Sequence, residues 1–312
     1  MTDISSLGYV RVRATDLDAW RKFAFDGIGF AEGSGPDPDA LYLRTDERHA
    51  RIVILPGDED RVEGVGWEVR DHLALRRVQA AVEAAGIATK PLSSEEADDR
   101  RVEAAIAFEA PGGTPLEIFH GPALDHSPLA TKYGNRFVTG DLGLGHVVVP
   151  VGDLDAAYRF YAETLGFLPR GAFRLPAPPE YGPIRLRFMG VNARHHSLAI
   201  LPSPDLKAPA LVHIMVECET LDEVGRALDR VTEAGYHLSS TLGRHTNDKM
   251  VSFYIRTPGG WDLEVGCEGM LVDETSYTAE EITADSYWGH KWDFSCNSSL
   301  KERGRSTPCC CS

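Results

Sequence analysis

The sequence predicts an α+β protein of two domains, each built from two βαβββ units whose mixed, largely antiparallel sheets curl around a central cavity. Three observations predict it. The stretch GLGHVVVPVGDLDAAYRFYAETLGF (143–167) recurs near the N-terminus as GYVRVRATDLDAWRKFAFDGIGF (8–30), at a constant offset of about 137 positions. That period is far too long for a solenoid and signals a duplicated domain. Each copy reads as a short apolar strand, a turn and an amphipathic helix, and further strands follow. The length of 312 residues suits two ordinary domains, each able to bury a core. The expected division is 1–135, 136–292 and a polar, Cys-containing tail at 293–312.

Residues 8–14 read as a strand, after which Asp16 caps a helix through about Phe25 that Gly29 closes. Two short strands, LYLRT and ARIVILP, fall within 40–55. A second unit begins at Gly64 with the strand GVGWEV. Its helix carries Leu75, Val78 and Val82 at helical spacing and ends at Gly86. Strands around AAIAFEA and PLEIF follow, split by the turn Pro111-Gly112-Gly113. Residues 122–142 read as an irregular connection.

The second half repeats the plan. The strand His146–Val151 leads to a helix from Asp153 whose apolar face is Leu154, Ala157, Tyr158, Tyr161 and Leu165. The Pro-rich LPAPPEYGP breaks regular structure, and strands follow at IRLRFMG and HSLAILP. The fourth unit opens with LVHIMVEC and continues in a helix with Leu221, Val224, Leu228 and Val231, ended by Gly235. The strand MVSFYIRTP, a turn at Pro258-Gly259-Gly260 and the strand WDLEVG close it.

Composition narrows the function. Hydrophobic and charged fractions of 43% and 25% describe a soluble globular protein. A net charge of -15 disfavours nucleic acid and anionic membranes. No run is long enough for a membrane span, and the polar start MTDISS is unlike a secretion signal, so the cytoplasm is expected. Six cysteines follow no metal or disulfide spacing. Cys218 and Cys267 are expected in the core. Cys296 and the run Cys309-Cys310-Cys311 fall in the tail, expected to be unordered and reduced.

Six of the 11 histidines lie between 146 and 245. His146 and His213 each sit inside the first strand of a unit, and Glu264 sits in the last strand of the fourth. Strand alternation points the two imidazoles to one face, and Glu264 can project to the same cavity. Buried imidazoles and carboxylates need partners, and a shared cation supplies one. In the first copy His146 becomes Tyr9, Glu264 keeps a counterpart in Glu117, and His213 falls over Gly66 or Trp67. One metal site, in the C-terminal half, is therefore expected. Two His and one carboxylate with open positions is the ligand set of non-haem Fe(II) oxygenases, although Mn(II) suits the same donors.

The pieces GLGHVVV, RHHSLA, LVHIMVE, GRHTNDKMVSFYIRTPGGWDLEVG and WGHK give the chain a resemblance to a known family. Up to about Lys291 it resembles the type I extradiol dioxygenases of the vicinal oxygen chelate (glyoxalase-like) superfamily, which include the 2,3-dihydroxybiphenyl 1,2-dioxygenases. The resemblance implies Fe(II) held by His146, His213 and Glu264. It implies catalytic roles for His196, His245 and Tyr254, and meta cleavage of a 3-substituted catechol with O2 in aromatic-compound degradation. His196 would move a proton, His245 would orient or polarise the substrate oxygen, and Tyr254 would donate a hydrogen bond to it. It also implies a homo-oligomer of a kind that reaches an octamer. Arg11 and Arg13 depart from the family's more apolar first strand.

Asn247 and Asp248 are expected to hold His245 or to form a turn. Leu175 is expected to wall the ring pocket, and Phe188 to wall it or to pack the core. His195 is expected to face away from the site as His196's neighbour, His237 to lie at the surface, and His290 to pack or meet a partner rather than bind a ligand. Two other classes stay open: an isomerase or transferase of the same superfamily using another metal, and a metal-free small-molecule binding protein on the same fold. The second needs no buried pair of imidazoles.

Overall fold

The computed structural model describes residues 2–175, 184–203 and 210–293. The tail cysteines (Cys296, Cys309, Cys310 and Cys311) and all of LPAPPEYGP beyond Leu175 lie outside the described residues.

The first half runs β1 (Ile4–Ala14), α1 (Leu17–Arg21), β2 (Ala31–Glu32), β3 (Leu41–Arg44), β4 (Ile52–Pro56), then β5 (Arg61–Val69), α2 (His72–Ala84), β6 (Lys90–Pro91), α3 (Ser94–Asp99), β7 (Val102–Glu109) and β8 (Pro115–Pro122). The second runs β9 (Gly145–Val151), α4 (Leu154–Arg159), β10 (Leu168–Leu175), β11 (Ile184–Gly190), β12 (Leu198–Pro202), then β13 (His213–Glu217), α5 (Leu221–Glu233), β14 (Leu238–His245), β15 (Val251–Arg256) and β16 (Asp262–Cys267). Four βαβββ units result, as expected. Two short strands, β17 (Glu280–Ile282) and β18 (Ser286–Trp288), are added at the end.

The local chemistry of the repeat explains its helices. The Asp16 carboxylate accepts the Ala19 N–H at 2.8 Å, and Asp153 accepts that of Ala156 at 2.9 Å. Both helices finish as wider π turns, Lys22–Ile28, which runs past the expected end at Phe25 up to Gly29, and Phe160–Thr164, which stays within the expected length. Strands β2, β6 and β10 and helix α3 were not expected from the pattern. The two-residue strands are too short to show a period. In β10, Arg170, Gly171 and Arg174 interrupt the alternation that marks a half-buried strand.

The strands form an eight-stranded sheet, β2-β3-β4-β1-β5-β8-β7-β6, and a ten-stranded sheet, β17-β10-β11-β12-β9-β13-β16-β15-β14-β18. In each, the first strands of two units lie side by side and antiparallel at the centre (β1 with β5, β9 with β13). Parallel pairs join each first strand to the last strand of its own unit. Alternation divides the faces. Val10, Val12, Val147 and Val149 point into one apolar core shared by both halves, where Trp20 meets Trp261 and Trp67 meets Phe167 at 5.4 and 4.8 Å between ring centres. The intervening residues Tyr9, Arg11, His146 and Val148 point to the opposite, concave faces.

Cys218 and Cys267 are buried free thiols in the core, as expected, and burial pushes both up to about 12. Among the described residues, no helix is long and apolar enough to cross a membrane.

Candidate metal centre

Three adjacent central strands bring the expected ligands together. Met215 of β13 pairs with His146 of β9 on one side and with Glu264 of β16 on the other. His213 lies two residues before Met215 and so shares its face. The side chains close over this face: His146 Nε2 is 3.0 Å from His213 Nε2 and 3.1 Å from Glu264 Oε2, and His213 Nε2 is 3.4 Å from that same oxygen. His146 and Glu264 are fully buried, while His213 keeps a little exposure.

The donor triangle fits a cation. Metal–donor bonds of about 2.1 Å at right angles would separate the donors by about 3 Å, the spacing seen here. Two imidazole nitrogens at 3.0 Å can share at most one proton, leaving a buried polar contact that a metal would complete. The other Glu264 oxygen, Oε1, has no hydrogen-bond partner, although His245 Nε2 approaches to 3.4 Å without the alignment for one. Burial alone would raise the Glu264 carboxyl, but His146, His213 and His245 hold it well below the usual carboxylate range. Burial brings His146 down to about 4, so the ring is neutral, as a metal-binding imidazole must be. Two imidazole nitrogens and one ionised carboxylate oxygen are donors that a borderline divalent metal takes.

The expected catalytic residues ring this triangle. His196 stacks on His146 with ring centres 4.0 Å apart, and Phe188 covers it at 4.9 Å. Tyr254, paired with Glu264 across β15 and β16, stands edge-on to His213 at 5.2 Å. Its hydroxyl lies 2.8 Å from His245 Nε2. Burial first, and then the Glu264 charge, push the Tyr254 phenol well above its ordinary value, so it remains a donor. Burial would lower His245, yet Asp285 and Glu264 raise it well above the ordinary histidine value. Strands β14 and β16 are two steps of about 4.8 Å apart, so His245 and Glu264 meet by reaching over the intervening β15.

Several sequence expectations need correction. His195 does not face away: both histidines precede β12, outside strand geometry, and His195 Nδ1 lies 3.0 Å from His196 Nδ1. Its other nitrogen meets the Tyr277 hydroxyl at 3.0 Å, which in turn donates to the Arg170 carbonyl. No hydrogen bond joins Asn247 or Asp248 to His245 among the described residues; of the two expectations the turn is the one seen, with Asp248 Oδ1 accepting the Met250 N–H at 3.2 Å. Asp248 is buried near His196 Nδ1 at 3.7 Å, and Asn247 Oδ1 is buried without a partner. Asp285 holds His245 instead, with Oδ1 3.4 Å from Nδ1 and its carbonyl at 3.2 Å. His290 stacks on His245 at 4.0 Å and bridges Ser286 and Ser252, so it packs as expected, but against the site. Leu175 ends β10, half-buried and three strands removed from β9. His237 is half-exposed, close to the expected surface position.

Strand register also corrects the internal comparison. Tyr9 pairs with Gly66, and Gly66 with Glu117, just as His146 pairs with Met215 and Met215 with Glu264. The counterpart of Met215 is therefore Gly66, and that of His213 is Gly64, neither Gly66 nor Trp67. A Cβ at Gly66 would lie 2.4 Å from the Tyr9 ring, so this glycine makes room for the residue that replaces His146. By the same register Ala107 stands for Tyr254, Tyr42 for Phe188 and Ala50 for His196. Glu117 keeps its carboxylate but receives the Tyr9 hydroxyl at 2.6 Å and the Arg100 guanidinium at 2.6 Å. A fixed positive side chain stands where the other half offers a cation site.

Comparison with known proteins agrees with this geometry. The dihydroxybiphenyl dioxygenase BphC D1 family matches residues 7–57, and the glyoxalase/bleomycin resistance protein/dioxygenase superfamily matches residues 143–265. The chain is 49% identical over 297 residues to an iron-dependent extradiol dioxygenase of Rhodococcus jostii (strain RHA1), covering 94% of this chain and 98% of the relative. It is 38% identical over 290 residues to a biphenyl-2,3-diol 1,2-dioxygenase of Metapseudomonas furukawaii, covering 92% and 94%. A crystal structure of catechol 2,3-dioxygenase superposes with a TM-score of 0.87 at 32% identity, covering 94% of this chain and 96% of that one.

Proposed function

The chain belongs to the type I extradiol dioxygenases of the vicinal oxygen chelate superfamily, iron-dependent oxidoreductases that cleave aromatic rings, and from that premise we propose that it opens 2,3-dihydroxybiphenyl or a related 3-substituted catechol. The observation that carries the proposal is the buried His146–His213–Glu264 triangle, with Tyr254, His245 and His196 converging on its rim. In this reading the triangle holds Fe(II). When bound, iron acts as a Lewis acid that acidifies the diol and brings it together with O2.

The chain's own residues do the rest. Tyr254 keeps its proton and donates to a diol oxygen. His245, fixed between Asp285 and Tyr254, orients that oxygen. His196, stacked on His146 and tied through His195 to Tyr277, accepts a diol proton and returns it after the ring opens. Phe188 lies beside His196 and offers an apolar surface to the substrate ring. The balance is simple: one catechol and one O2 give one hydroxy-keto-dienoate, with both oxygen atoms retained in the product. In this reading residues 1–135 form a domain without metal, 136–292 the catalytic domain, and 293–312 a tail. Support comes from the first sheet ending at Pro122 and the second starting at Gly145. We further read the enzyme as a cytoplasmic homo-oligomer, up to an octamer, supported by its exposed Leu271, Tyr287, Trp288 and Trp292 and its buried free thiols.

The test is anaerobic loading with Fe(II), with Mn(II) in parallel, followed by oxygen uptake on 2,3-dihydroxybiphenyl and other 3-substituted catechols. One O2 consumed per diol with a yellow product supports the proposal. Metal uptake without oxygen consumption on any diol overturns the substrate class.

A further inference from the structure

The N-terminal half has a cleft of its own, where register places the counterpart of the metal-site cavity. It is lined by Tyr9, Tyr42, Ala50 and Phe119, which stand in register with His146, Phe188, His196 and Gly266. The enclosed space is about 30 Å³ and opens to solvent. Its chemistry is different: beside one imidazole, His49, it is lined by Arg11, Arg48, Arg51, Arg100 and Arg101, with Asp99 as the acidic residue among them. This concentration of guanidinium lies in a chain whose net charge is -15.

The charges are not fully spent on internal partners. Arg11 is 4% exposed and pairs through Nη2 with Asp99 at 2.6 Å, yet its buried Nε has no hydrogen-bond partner. Arg48 gives Nη2 to Glu68, while its buried Nε and Nη1 have none. Buried donors left without acceptors are costly, so a native site retains them where an acceptor arrives from outside. Arg101 forms no ion pair among the described residues and is exposed at the cleft, with φ of +57°. A non-glycine residue in that region is held against its own preference, a feature concentrated at ligand sites. Guanidinium forks match carboxylate and phosphate oxygens two by two.

We propose that this cleft is an oxyanion-binding site, taking a carboxylate or phosphate group against Arg11, Arg48 and Arg101, with the Tyr9–Phe119 stack as an apolar wall. The stack has ring centres 4.8 Å apart. The duplicated module thus exchanges a cation site for an anion site at the same place in the fold. The inference does not depend on which catechol the other half cleaves.

The test is anaerobic isothermal titration of the full chain, every variant carried through the same Fe(II) loading although Glu264→Gln is expected to stay iron-free, with sodium benzoate and, separately, inorganic phosphate. Four proteins are compared: unsubstituted, Glu264→Gln, Arg101→Glu and Arg101→Gly. Glycine relaxes the backbone at this φ, so Arg101→Gly keeps the fold while removing the charge. Saturable binding of either probe, equal in Glu264→Gln and weakened at least about tenfold in both Arg101 variants, supports the proposal. Benzoate alone identifies a carboxylate site and phosphate alone a phosphate site. Ring cleavage by the Arg101 variants stays unchanged. Absence of saturable heat from both probes overturns the proposal. So does binding that persists in the Arg101 variants but is lost in Glu264→Gln, since it would belong to the metal centre.

Discussion

His146 and Glu264 meet at 3.1 Å although their strands, β9 and β16, are not neighbours. The strand between them, β13, supplies His213 and leaves the contact to side chains reaching over a curved sheet. The three donors therefore depend on one another's placement, and the loss of one leaves the other two buried beside an incomplete site.

Replacement of His213 by Ala is expected to lower iron occupancy and to reduce ring cleavage by more than about 100-fold, above the cost of altering an outer partner of a metal ligand. Metal analysis after anaerobic gel filtration, read beside oxygen uptake, checks it. Full iron content with full activity would show that His213 only packs.

His196→Phe preserves an aromatic ring against His146 but cannot carry a proton. We expect iron content to stay intact while kcat falls about 10²–10⁴-fold, the range of a lost acid–base group. Tyr254→Phe is expected to cost about 10²–10³-fold by loss of one aimed donor. Unchanged kcat in either variant would remove that residue from the mechanism.

Asp285 tests a role that the sequence did not announce. Asp285→Asn should weaken the hold on His245 and lower kcat by about 10–100-fold at unchanged iron content, and the pH profile of kcat should shift with it. A uniform loss of folded protein without a change in pH profile would assign Asp285 to structure alone.

Much of the site was legible in the chain. The repeat exposed His146 by its replacement with Tyr9, and strand alternation put His146 and His213 on one face. The residues that escaped notice act through spatial neighbours far away in sequence. Asp285 reaches His245 from just before a terminal strand too brief to show a period, and His290, expected to pack, does so against the same ring from just beyond that strand. Arg100 answers Glu117 from the turn before β7, and no local pattern ties a guanidinium to a carboxylate two elements away. The equivalence of Gly64 with His213 was obscured because β5 pairs with β1 through several bulges, so residue counting slipped where hydrogen-bond register does not.

Stability should respond to acid through Asp46. Burial would raise its carboxyl, but buried Arg51, with Nη2 at 2.6 Å, holds it below the ordinary value. A depressed folded value contributes stability that is complete above the unfolded value of about 3.9 and is lost as pH falls through the folded one. Asp46→Asn is expected to cost about 3–5 kcal/mol near neutral pH, the scale of a broken buried pair, and to flatten the acid limb. Denaturant melts at neutral and low pH check both effects. An unaltered acid limb would remove Asp46 as its source.

The central claim is a single iron site in the C-terminal half, lost from its duplicate. Iron content of the anaerobically loaded chain, compared among the unsubstituted protein, Glu264→Gln and Glu117→Gln, tests it most directly. The account predicts one iron per chain in the unsubstituted protein and in Glu117→Gln, and almost none in Glu264→Gln. Retention of iron by Glu264→Gln, or its loss from a folded Glu117→Gln, would contradict it.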